Sequence, residues 1–165
     1  MALTLAGIDQ ASKAWALGNL SDGETIPLLG HALRLHLTLN GGGALSLGDG
    51  ATWLFTLVTV GVIVAVLVVL PRLASTGWLM VAALVLGGGA GNLVDRLARP
   101  PGFGRGLVVD FIAYGDLFIG NVADIGIVLA VVLVFWLMLR GVPIIRPPRA
   151  APDPATAEKA SDDAG

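Results

Sequence analysis

Cysteine is absent from this chain, and with it go disulfides, thiolate zinc sites, iron–sulfur clusters and a cysteine nucleophile. Histidine is nearly absent. His31 and His36 both lie outside the apolar runs, which leaves a conventional histidine-based metal site little to work with. Charge is scarce too: 13% of residues are Asp, Glu, Lys or Arg, where a soluble domain carries about 25%. Against that, 55% are hydrophobic and the mean hydropathy is +0.82, the balance of a membrane protein. A net charge of −2 and the lack of a basic patch give nucleic acid no footing, so none is expected as a partner. Carboxylates remain the main candidates for chemistry, with no metal and no cofactor expected.

Four segments are candidates to cross a bilayer, for which about 20 apolar residues suffice. Thr52 to Leu70 carries no charge and ends at Pro71-Arg72. Trp78 to Leu97 is apolar to Leu86 and then turns Gly-rich through Gly87-Gly88-Gly89-Ala90-Gly91. Phe118 to Leu139 is interrupted only by Asn121 and Asp124. Ala2 to Leu20 is the weakest, since it contains Asp9, Gln10 and Lys13, and those groups also make it too polar for a cleavable signal peptide. Only about 12 Å of helix precedes Asp9 at 1.5 Å per residue, so a short or shifted first helix, or a start upstream of Met1, is expected.

Between the spans, Leu33, Leu35, Leu37 and Leu39 alternate with Arg34, His36, Thr38 and Asn40, a strand signal within His31 to Asn40. Residues 98–117 form a second polar connection, rich in Pro and Gly. The composition from Pro147 onward cannot bury a core, which predicts a disordered tail. The expected fold is therefore an all-α integral membrane protein of four transmembrane helices with a small extracytoplasmic sheet and outer loops. Residues 1–146 form its membrane domain and 147–165 its tail. Arg72, Arg140, Arg146 and Arg149 put the turn after Leu70 and both termini in the cytoplasm, with 21–51 and 98–117 outside. Arg99 and Arg105 count against that orientation, although Asp110 and Asp116 share their loop.

Five polar motifs gather at the outward ends of the spans. They are Asp9-Gln10-Ala11-Ser12-Lys13, Asn40-Gly41-Gly42-Gly43-Ala44-Leu45-Ser46, Gly91-Asn92-Leu93-Val94-Asp95-Arg96, Val109-Asp110-Phe111 and Asn121-Val122-Ala123-Asp124. Helical spacing puts Asp9 with Lys13, Asn92 with Arg96, and Asn121 with Asp124 on shared faces. A carboxylate near hydrocarbon is costly, so Asp110 and Asp124 read as a functional pair. Asp124 is expected about six residues into its helix, roughly 9 Å below the outer end.

In this order the motifs resemble the lipoprotein signal peptidases of bacteria, the signal peptidase II family of membrane aspartic proteases, over about residues 7–130. The resemblance implies four transmembrane helices, a small extracytoplasmic sheet and a periplasmic helix. It implies that Asp110 and Asp124 form the catalytic dyad. It also matches Asp9, Lys13, Asn40, Gly91, Asn92, Asp95, Arg96 and Asn121 to the family's motifs. Gly120 stands where the family usually has Phe, and the Asn40 turn is longer by a residue or shifted by one. The implied substrate is a prolipoprotein, cut just before its lipid-modified Cys by a monomeric enzyme of the cytoplasmic membrane, with lipid as the other partner. Asn40, Asn92, Arg96 and Asn121 are the expected substrate-holding residues, and Asp9, Lys13 and Asp95 the structural or orienting ones.

Plainer roles compete. Asp9 with Lys13 fits a structural ion pair, the Gly87–Gly91 run a close helix contact, and Asn92 with Arg96 a hydrated helix end. Asp95 is expected to orient Arg96, and Asp22, Asp49 and Asp116 to be ordinary loop acids. Ser12 and Ser46 have no base in view, so serine chemistry is a poor fit. The rival class is a proton or cation path, where intramembrane acids also gather. That path requires a polar route through the bilayer, yet the inner halves of Thr52–Leu70 and Phe118–Leu139 are purely apolar.

Overall fold

A computed structural model describes residues 1–21, 23–42 and 52–146. Asp22, the Gly43–Ser46 half of the Asn40 motif, Asp49 and the tail from Pro147 lie outside the described residues. Four helices carry the chain: α1 (Ala2–Asn19), α2 (Thr52–Val69), α3 (Thr76–Ala98) and α4 (Val122–Leu139). Three of them, α2 with the turn that follows it, α3 and α4, are long and apolar enough to span a membrane. No separate periplasmic helix occurs among the described residues.

The expected small sheet is present, four-stranded and antiparallel. Its strands are β1 (Thr25–Leu29), β2 (Leu33–Asn40), β3 (Val108–Tyr114) and β4 (Phe118–Gly120), in that spatial order. Two of the four come from the segment read as a polar connection and the head of a span. Phe118–Gly120 is strand rather than helix because its backbone pairs with Ile112–Tyr114, and Asn121 then starts α4 afresh. The alternation in β2 is broken where its register against β3 shifts between Leu35 and Thr38, the mark of a bulge. Leu35 and Leu37 pack against Ala16 and Leu20 of α1 and Val109 and Phe111 of β3. This contact seats the sheet on the C-terminal end of α1.

Helix α3 is the hub, packed against α1, α2 and α4. Its glycine run permits this. A Cβ on Gly88 would stand 2.6 Å from the Ala123 carbonyl of α4, and one on Gly91 would stand 2.5 Å from Asp9 Oδ2 of α1. Small residues let backbones approach where lipid supplies no hydrophobic drive between helices, so the close-contact expectation for Gly87–Gly91 holds. At the opposite end from the sheet, Leu73, Trp78, Val81, Ala82, Ala130 and Leu137 form an apolar cluster. There the chain after α4 returns to the α2–α3 turn, with Arg146 N donating to the Arg72 carbonyl at 3.0 Å.

Candidate active site

The site grows from the start of α4. Asn121 is its N-cap: the Asn121 side chain accepts from Asp124 N at 3.1 Å, and Asp124 Oδ2 accepts from Asn121 N at 3.1 Å. Such a reciprocal capping box satisfies two otherwise unpaired amides and seats a carboxylate at the positive end of the helix. Asp124 therefore lies in the first turn of α4, not six residues in, which corrects its expected depth. Gly120 makes room for it, since a Cβ there would stand 2.9 Å from Asp124 Oδ2.

Asp110 is presented by β3. Thr38 is its cross-strand partner on β2, and Asp110 itself is 2% exposed. Its two oxygens are held separately, Oδ2 by Asn40 Nδ2 at 2.8 Å and Oδ1 by Asn121 Nδ2 at 2.6 Å. Burial pushes the Asp110 carboxyl up to about 6, and the neighbouring Asp124 charge adds to the rise. The hydrogen bonds from Asn40 and Asn121 and the Lys13 charge oppose it.

Asparagines join the two acids. Asn92 Nδ2 donates to Asp124 Oδ1 at 3.0 Å, while Asn121 Nδ2 also reaches Asn92 Oδ1 at 3.1 Å. A continuous chain thus runs from Asp110 through Asn121 and Asn92 to Asp124. Both carboxylates line a cleft of about 560 Å³ bounded by Thr38, Asn40, Leu117, Phe118 and Ile119. On the α2–α3 side they also border a smaller cleft of about 260 Å³ with Phe55, Asn92 and Arg96. Two acids of different burial beside shared cavities suit proton transfer to and from a bound group.

Beneath the asparagines lies a closed ionic cluster. Lys13 Nζ, on a fully buried side chain, reaches Asp9 Oδ2 at 2.8 Å, Asp95 Oδ2 at 2.8 Å and Asn92 Oδ1 at 2.9 Å. Asp9 Oδ1 accepts from Ala123 N at 2.9 Å, which ties α1 to the first turn of α4.

Comparison with known proteins decides what this arrangement belongs to. The family model of Signal peptidase (SPase) II, Peptidase_A8, matches residues 1–140. A lipoprotein signal peptidase of Leifsonia xyli subsp. xyli is 46% identical over 143 residues, 86% of this chain and 66% of that protein. Its counterpart in Bifidobacterium adolescentis is 42% identical over 143 residues, 87% of this chain and 76% of that protein. The chain belongs to the signal peptidase II family. A bacterial membrane enzyme solved by the in meso method at 2.3 Å shares the fold. Its TM-score is 0.73 at 25% identity, over 84% of this chain and 85% of that one. Membership places the chain among proteases of lipoprotein processing and makes it a multi-pass bacterial membrane protein.

All nine residues that the resemblance to the signal peptidase II family singled out for the site fall in this one region. Two pairings differ from expectation. Asp95 does not orient Arg96. It binds Lys13 and, at 2.6 Å, Arg99 Nε, because adjacent helical positions point about 100° apart, turning Asp95 toward α1 and Arg96 toward the sheet. Arg96 Nη1 instead donates to the carbonyls of Asn40 at 3.1 Å and Gly106 at 3.0 Å, strapping α3 to the end of β2 and the loop before β3. Gln10, which sequence reasoning passed over, donates to the Gly91 carbonyl at 2.9 Å and to Asp95 Oδ1 at 3.3 Å. Arg99, read only as a topology signal, sits one turn after Asp95, a spacing that could have revealed the pair. Asp116 is not solitary either, since it meets Arg34 at 3.1 Å.

Proposed function

We propose that this protein is an intramembrane aspartic endopeptidase that removes the signal peptide from diacylglyceryl-modified prolipoproteins, cutting just before the lipidated Cys. The observation that carries this reading is the joining of Asp110 and Asp124, from separate elements, through Asn121 and Asn92 beside one cleft. Two such acids share a proton, because nearby like charges resist double ionisation. Asp110, the more buried member, holds that proton and polarises the scissile carbonyl. Asp124, at the positive end of α4, carries the charge and takes a proton from the attacking water. The proton from Asp110 then passes to the leaving amine, with no covalent intermediate and no metal. Asn40, Asn92 and Asn121 hold the acids in register as well as meeting substrate, and Arg96 fixes the strand end beside them.

In the bilayer, α1 acts as the fourth span. Its 18 residues reach about 27 Å, close to the hydrocarbon thickness, with Asp9 and Lys13 neutralised against α3. Arg72, Arg140 and Arg146 mark the cytoplasmic end, and the sheet and the acids lie at the outer face. Residues 1–146 make up the peptidase domain, working as a monomer among membrane lipids, and 147–165 are a cytoplasmic tail. The apolar cluster of Leu73, Trp78, Val81 and Leu137 at the inner end speaks against an ion path.

The test is cleavage of a lipidated prolipoprotein, and of its non-lipidated form, by purified, membrane-inserted protein. Asp110→Asn and Asp124→Asn should each abolish turnover, with the double variant little worse than either, because residues acting as one unit are non-additive. Near-normal turnover by either single variant refutes the dyad. Activity should survive a metal chelator.

A further inference from the structure

The end of the molecule opposite the sheet carries an apolar groove. It is about 250 Å³ in volume and is walled by Ala65, Val66 and Val69 of α2, Leu73 of the turn, and Trp78 and Val85 of α3. Trp78 to Val85 is about 10 Å of helix at 1.5 Å per residue, a third of a hydrocarbon core of roughly 30 Å. The one polar atom on these side chains, Trp78 Nε1, donates to the Val142 carbonyl at 3.2 Å. An indole held this way suits the level where lipid headgroups meet their chains. The groove fits an acyl chain and not a peptide, whose backbone would find no partner in it.

Two arginines stand at its mouth. Leu73 pairs with Ile145 in an isolated antiparallel bridge, with Ala74 N donating to the Ile144 carbonyl at 2.9 Å and Arg146 N to the Arg72 carbonyl at 3.0 Å. That register sets Arg72 directly opposite Arg146, on one face of the pairing, where like charges are destabilising. Arg146 Nε donates to the carbonyl of Leu73, a groove residue, at 3.0 Å. Arg140 is engaged elsewhere, over the Trp136 ring at 4.5 Å. Among the described residues neither Arg72 nor Arg146 meets a carboxylate, since the described acids lie on the sheet or around the Lys13 cluster and the start of α4. An anion between the two guanidinium groups would relieve their repulsion, and a phosphate matches their planar forks.

We propose that the groove and the Arg72–Arg146 pair bind one anionic phospholipid, with an acyl chain between α2 and α3 and the phosphate between the arginines. Basic pockets between spans at a cytoplasmic end are suited to such headgroups. The site is remote from Asp110 and Asp124 and takes no part in cleavage. On the proposed topology a signal peptide would bring its own basic start to this end, where two arginines repel it.

The test titrates phosphatidylglycerol, or phosphatidylcholine with the same chains, into the full chain in a neutral detergent and counts bound lipid by native mass spectrometry. Phosphatidylcholine has the same phosphate but adds a cation that the arginines oppose. One phosphatidylglycerol should bind about tenfold more tightly than phosphatidylcholine, the worth of one hydrogen bond between charged groups. Arg72→Gln with Arg146→Gln should erase that preference, whereas lysine at both positions should keep most of it. Ala65→Phe fills the groove from an exposed position and should weaken both lipids about tenfold, by displacing about two methylenes. Arg105→Gln, at the other end of α3, should change nothing. Equal affinity for the two lipids overturns the proposal, as does a preference that survives loss of both arginines or falls as far with Arg105→Gln. Unchanged binding in Ala65→Phe overturns the groove. A preference that emerges only when Asp153, Glu158, Asp162 and Asp163 are changed to their amides assigns the arginines to the tail, and also overturns it.

Discussion

Replacing Lys13 by Met tests the buried cluster most severely. The lysine side chain is fully buried, and its ammonium meets Asp9, Asp95 and Asn92, all within 2.9 Å. Met fills much the same volume but offers no donor. Asp95 would keep Arg99 at 2.6 Å, and Asp9 would keep the Ala123 amide at 2.9 Å, so each carboxylate loses its charge partner or half of it. Removing one member of a buried ion pair costs about 3–5 kcal/mol, chiefly by stranding the other charge. For a chain of this size that corresponds to a fall in Tm on the order of 10 °C. Thermal unfolding of the purified protein in detergent measures it directly. Turnover should fall as well, because Asn92 loses the contact that orients it toward Asp124. The control is Lys13→Met combined with Asp9→Asn, which removes the stranded charge and should recover part of the loss, a coupling between neighbours. A Tm shift under about 2 °C, less than one kcal/mol, would refute the reasoning. So would a double variant less stable than Lys13→Met alone.

Asn40→Ala removes a hydrogen bond that favours ionised Asp110. Loss of the Asp110 proton should set the basic limb of the kcat/KM profile, near pH 6 in the free enzyme, and the substitution should move that limb to higher pH. An unmoved or lowered limb counts against Asp110 as the proton holder. Gly88→Ala forces a Cβ against the Ala123 carbonyl and should lower stability by about 1–3 kcal/mol, read as Tm, whereas Gly61→Ala, with open space around it, should not. Reporter fusions at Ser75 and Ala155 should both read cytoplasmic, and an external reading at either overturns the four-span topology.

Much of this protein was legible in its residues because the bilayer imposes a simple rule. Backbone polar groups in hydrocarbon must be satisfied within a helix, so uncharged stretches such as Thr52–Leu70 declare themselves by length and composition. Expensive groups near such stretches, Asp9, Lys13, Asp95, Asp110 and Asp124, stand out for the same reason. Even the N-cap of α4 was written in Asn121 and Asp124, three apart, although the apolar run from Phe118 disguised where the helix began. The tertiary structure decided what local pattern cannot express. Strands β3 and β4 exist because Val108–Tyr114 finds β2 across a long stretch of chain and Phe118–Gly120 finds β3, and neither pairing has a periodic signature of its own. Asp95 turns to Lys13 and Arg99 instead of its neighbour Arg96 because α3 packs between α1 and the sheet, and the two residues face different partners. Which acid is buried, and how Asn121 and Asn92 link Asp110 to Asp124, follow from that packing. Helical spacing fixes which residues share a face, and only the assembled helices and sheet decide what that face meets.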